Sequence, residues 1–72
     1  MSANDDMVTD VTEELQWDPK VDSSSITVSA DDGHVTLRGS VRTTAEKEEA
    51  AAVAARVFGV VAVENELLVE EP

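Results

Sequence analysis

From Ile26 to Val41 apolar and polar residues alternate one by one: Ile26, Val28 and Ala30 with Thr27 and Ser29, then Val35, Leu37, Gly39 and Val41 with Thr36, Arg38 and Ser40. A two-residue rhythm puts each set on its own face of a pleated strand, so the stretch predicts two strands, each apolar on one side. Between them lies Asp31-Asp32-Gly33-His34. Its Asp-Gly pair accepts positive φ angles at low steric cost and predicts a tight hairpin turn. Ahead of the hairpin the rhythm is helical. Val8, Val11 and Leu15 recur every three or four positions with Met7 on the flank, while Asp6, Asp10, Glu13 and Glu14 take the other faces. Met1 to Ala3 are expected to fray, and Asn4 is expected to cap the helix. Asp18-Pro19 is expected to stop it, because the residue before proline is pushed out of the helical region. Lys20 to Ser24 reads as a polar connection.

Behind the hairpin, Thr43 and Glu46 have the spacing of a capping box. The helix they open carries a stripe of Ala50, Val53, Ala54 and Val57, mainly alanine, and Gly59 is expected to end it. Phe58 falls off that stripe. In the last stretch Val61, Val63, Leu67 and Val69 share one parity with Asn65, which predicts a third strand with one polar residue on its inner face. A buried amide must find partners, so Asn65 is expected to bond nearby backbone. Glu70 to Pro72 read as a solvated tail. The order is α-β-β-α-β, an α+β two-layer sandwich: a three-stranded mixed sheet with both helices on one face. The crossover through the second helix leaves strands two and three parallel. Thr27, Ser29, Thr36, Arg38, Ser40, Glu64 and Glu66 are expected on the other, wet face.

The chain has 72 residues, enough for one small domain with an ordered core over about residues 5–70, standing alone or as a piece of a longer protein. It has 16 acids against 5 bases, a net charge of -11. Such a surface repels phosphate backbones and anionic headgroups, which argues against nucleic acid as a partner. Cationic partners and zwitterionic lipid stay open. There is no cysteine, so no disulfide framework, and no run of about 18 apolar residues that would span a membrane. The acidic start, without an apolar leader, is the expectation of a cytoplasmic chain, or of an envelope protein if a leader has been removed.

The segment LQWDPKVDSSSITVSADDGHVTLRGSVRTTAEKEEAAAVAARVFGVVAVENELLV resembles the BON domain, the module named after bacterial osmotically inducible and nodulation proteins. The likeness is carried by WDP after the first helix, the I-x-V strand, DG-x-V-T-L-x-G-x-V, the alanine-rich helix, G-V-x-x-V and N-x-L-x-V. The resemblance implies an α-β-β-α-β sandwich and a non-enzymatic module of envelope or stress proteins, proposed to bind phospholipid or other hydrophobic ligands. It also implies the neighbourhood of cation-sensing or nucleotide-sensing domains. Gly39 and Gly59 match the family's glycines. Each also has a structural reading: Gly39 would let a helix approach the strand, and Gly59 would end one.

Candidate chemistry is sparse. His34 with Asp31 and Asp32 makes no settled metal-ligand set, and the turn explains those residues. Neither a glycine-rich phosphate loop nor a nucleophile beside a base occurs. Asp22-Ser23 matches the attachment site of a helical acyl carrier only superficially, since residues 26–41 are strand-like. No cofactor, metal or catalytic residue is expected. Trp17, the only tryptophan, is expected to lie as a lid over one edge of the core, with a ligand contact as its alternative role. The candidate ligand-binding residues are Trp17, Gly39, Phe58, Gly59 and Leu68, with Val60 among the exposed apolar groups. Three roles follow: a binding module for phospholipid or another hydrophobic ligand, a protein-interaction or assembly module, and an acidic cation-responsive module.

Overall fold

Asp32 and Gly33 have φ angles of +49° and +83°, the paired positive values of the tight turn that matches the right-handed twist of its strands. They join β1 (Ile26–Asp31) to β2 (His34–Val41). The structure is a computed structural model describing residues 3–70; the remaining positions of both termini, including most of the expected frayed start and the end of the tail, lie outside the described residues. β1 and β2 pair antiparallel from Ile26 opposite Gly39 to Asp31 opposite His34. β3 (Ala62–Val69) lies parallel to β2, from Ala62 beside His34 to Val69 beside Val41. The sheet order β1-β2-β3 leaves β2 central, and its Val35 and Leu37 are fully buried.

Two helices cover the apolar face. From α1 (Ala3–Trp17), Val11 and Leu15 enter the core with Met7 packed beside them. From α2 (Thr44–Ala55), Ala50, Val53 and Ala54 enter it, opposite Leu67 of β3. The core is therefore thin, with alanine methyls where a larger domain would place leucines. The open face carries the expected polar residues, and Arg38 and Glu66, neighbours in the ladder, pair there at 2.9 Å.

The structure corrects several local expectations. Asn4 lies inside α1 rather than capping it; its side-chain oxygen accepts the Asp32 backbone N–H at 3.0 Å and ties the helix to the hairpin turn. Ala3 is helical, not frayed. Met7, not Val8, leads the α1 stripe, because Met7, Val11 and Leu15 sit at intervals of four and share one line of the helix surface; Val8 is half-buried beside them. The connection before β1 is less polar than it reads: Val21 is buried in the core. Behind it Ser23–Ser25 form one 3-10 turn, capped by the Asp22 carboxylate accepting the Ser24 N–H.

Thr43 caps α2 as expected, its hydroxyl accepting the Glu46 N–H at 3.0 Å. Glu46 does not complete the box. Its two carboxylate oxygens instead accept the N–H groups of Arg42 and Asp22, each at 2.8 Å, and clamp the linker to the helix. α2 ends at Ala55 with Arg56 as its C-cap, four residues before Gly59. Gly59, at φ +94°, serves the following turn, in which the Val60 N–H donates to the Val57 carbonyl. β3 then begins at Ala62, so Val61 falls outside the strand and is 74% exposed, whereas Val60 packs against the core. The parity expected of those two valines is thus reversed by the turn.

Candidate functional site

Asp18, one residue past the end of α1, has its carboxyl beside that of Glu49 in α2. At the far end of the same pair of helices, the position a Cβ on Gly59 would take lies 3.2 Å from the Met7 terminal methyl. The helices therefore run antiparallel, and a groove of about 640 Å³ opens between them toward solvent. Asp10, Glu13, Glu14 and Trp17 form one wall, Glu49, Val53, Arg56 and Val57 the other, with Asp18, Pro19, Lys20 and Phe58 around them. That volume is in the range of small-molecule sites, roughly 300–1,000 Å³.

An aromatic residue stands where each helix ends. Trp17 is the last residue of α1 and is 82% exposed, so the expected lid over the core is not formed. The reason is helical geometry: Leu15 fills the core position, and a residue two places on points to another side. Phe58 sits at the tip of the turn closed by Val57 and Val60 and is 99% exposed. Gly59 lies beside it in that turn, where its positive φ lets the chain reverse and leaves Phe58 outward.

The other two candidates lie elsewhere. Gly39 faces the chain entering β1: the Ser25 carbonyl oxygen occupies the space a Cβ would need, and φ is +126°. What approaches closely is thus a neighbouring backbone, not a helix. Leu68 lies on the open face of the sheet beside Ser40, 67% exposed. Neither lines the groove, which gathers Trp17 and Phe58 alone of the five. Glu49 and Arg56 carry no signal in the sequence, Val57 reads only as part of the second helix's apolar stripe, and Asp18 only as part of the Asp18-Pro19 helix stop.

The groove is unevenly charged. Five of its lining residues are acidic and two, Lys20 and Arg56, are basic. Arg56 is engaged already, its Nε donating to the Ala52 carbonyl at 3.3 Å and its guanidinium 3.6 Å from Glu49. The hydrogen bond with Glu49 holds the Asp18 carboxyl below its usual range, helped by the Lys20 backbone N–H; the same bond pushes Glu49 up. The opposite shifts mean that Asp18 ionises before Glu49 as pH rises. Among the described residues that line the groove there is no serine, threonine, cysteine or histidine, so it holds no nucleophile-and-base pair.

The His34 side chain places its Nδ1 3.3 Å from the Asp31 carbonyl, as a turn residue would. Asn65 meets its expectation: its Nδ2 donates to the Lys47 carbonyl at 2.9 Å and its oxygen accepts the Leu67 N–H at 3.3 Å. No helix among the described residues is long and apolar enough to cross a membrane. A search among curated proteins found no significant match. Against known protein families, residues 4–71 match the BON domain. With that match over nearly the whole chain, and an α-β-β-α-β fold reached independently from the rhythm of its residues, the protein belongs to the BON domain family.

Proposed function

We propose that this domain is a non-catalytic binding module that takes the apolar part of a hydrophobic or amphipathic ligand, such as a phospholipid chain, into the groove between α1 and α2. The observation that carries the reading is the joint exposure of Trp17 and Phe58, 82% and 99%, on one groove. Single exposed apolar side chains are ordinary, but two large aromatics placed on one concave surface offer area that a ligand would remove from water, at about 25 cal/mol per Å². Trp17 is the only tryptophan, so its fluorescence reports on the groove directly. Titration with a non-ionic alkyl amphiphile, and with neutral and anionic phospholipid vesicles, should shift its emission to the blue in a saturable way, least with anionic vesicles because of the charge of -11. An emission that stays at its fully hydrated wavelength with every one of them overturns the reading.

A second reading, a protein-assembly module, is favoured by β3. It is an edge strand of the sheet, and Val61 and Leu68 beside or upon it are exposed. Unpaired edge groups template the addition of another strand. Sedimentation that shows only monomer at millimolar concentration would remove this reading without touching the first.

A further inference from the structure

The groove offers an aromatic at each end and carboxylates along its length. Asp10, Glu13 and Glu14 follow one wall, and α1 brings the negative end of its dipole to Trp17 with no basic residue in its last turn. α2 does the same toward Phe58, again with no basic residue in its last turn, although Arg56 caps it. The five acids outnumber Lys20 and Arg56 on this groove, so an anionic head would meet net repulsion and a strongly hydrated neutral one would gain little. A cationic head would gain carboxylate attraction together with the negative face of the indole, an arrangement that suits alkylated ammonium.

We propose that the groove selects a single-chain ammonium amphiphile, its apolar chain lying on Val53, Val57 and Phe58 and its cationic head against Trp17 and the α1 carboxylates. This deepens the binding reading above and rests on it. The wall from Asp10 to Trp17 spans about 10 Å at 1.5 Å per residue, room for one short chain. A bilayer would instead bring its headgroup phosphates against the same acids, which disfavours a membrane surface as the source of the ammonium.

Calorimetric titration of the full chain with hexyltrimethylammonium, hexyl glucoside, hexyl sulfate and phosphatidylcholine vesicles tests this. The cationic amphiphile should bind at one site about tenfold more tightly than the glucoside, and the sulfate not at all. In the variant Glu13→Gln/Glu14→Gln that preference should fall to about twofold. The charge-matched control Glu48→Gln/Glu64→Gln, away from the groove, should keep it. All four positions are exposed, so both variants should fold, which circular dichroism checks. Trp17→Leu should keep both carboxylates and so only lower the preference for the ammonium, to about fivefold, while still binding the glucoside. Equal affinity for ammonium and glucoside, equal loss in the control variant, or vesicle binding as strong as that of the monomeric amphiphile would each overturn the inference and leave the groove reading standing. Failure of every amphiphile to bind would overturn both.

Discussion

Asn65 of β3 donates its side-chain N–H to the Lys47 carbonyl of α2 at 2.9 Å and accepts the Leu67 N–H at 3.3 Å. One half-buried amide thus fastens the edge strand to the helix that covers it, a helix that brings only Ala50, Val53 and Ala54 fully into the core. Asn65→Ala should cost about 1–2 kcal/mol, because it removes both bonds without adding apolar contact. At about 4–8 °C per kcal/mol for a domain this small, thermal unfolding should show a clear drop in Tm. A Tm unchanged within error would show that α2 and β3 are held by apolar contact alone.

Gly39 and Gly59 both have φ angles that L side chains rarely adopt, but their surroundings differ. A Cβ on Gly39 would overlap the Ser25 carbonyl, a backbone group that cannot yield without moving the entry to β1. One on Gly59 would meet only the flexible tip of Met7 at 3.2 Å. Gly39→Ala should therefore destabilise by at least about 3 kcal/mol, and Gly59→Ala by about 1–2 kcal/mol. Chemical denaturation of the two variants gives the ranking, and the reverse order would refute the assignment of Gly39 to close backbone contact.

The Asp18–Glu49 pair should give stability a pH signature. Asp18, with its folded value lowered chiefly by the Glu49 hydrogen bond, contributes stability that is present above its unfolded value and lost as pH falls through the folded one. Glu49, raised by the same bond against the opposing charges of Lys20 and Arg56, contributes stability that is present below its unfolded value and lost as pH rises through the folded one. The pair stabilises most in the acidic window between those two folded values and loses the Glu49 part of that contribution toward neutrality. Glu49→Gln, whose amide can donate at any pH, should flatten this fall. Parallel stability curves for parent and variant between mildly acidic and neutral pH would contradict the raised Glu49.

Trp17 and Phe58 should matter little to folding. At 82% and 99% exposure each bears little of the core, so Trp17→Ser and Phe58→Ser should change stability by no more than about 0.5 kcal/mol. Binding should suffer in both. A large loss of stability in either would mean that the aromatic serves the fold.

Much of this architecture was legible in the residues because both periodicities are clean. The alternation over residues 26–41 fixed the hairpin and its register, and Asp32-Gly33 marked the turn. The Ala50, Val53, Ala54 face and the anomaly at Asn65 were equally readable. What could not be read depended on contacts far apart in the chain. Asn4 looks like a cap until the hairpin turn is placed beside it, and Glu46 looks like half of a box until Asp22 arrives to share it. Val21 is hidden in a polar segment, with no periodicity to betray it. The groove was legible only in part: the unusual exposure of Phe58 followed from its place off the α2 stripe, but Trp17 could as well have turned inward. The meeting of Asp18 with Glu49 rests on antiparallel helix packing, which no local pattern encodes.

Residue-resolved amide shifts during titration with a non-ionic alkyl amphiphile test most directly where this domain binds. Saturable changes gathered at residues 10–20 and 49–58, with Thr27, Ser29, Thr36 and Leu68 of the open sheet face unmoved, are the expected result. Changes centred on that sheet face or on the outer edge of β3, with the two helices silent, would contradict a ligand groove between α1 and α2.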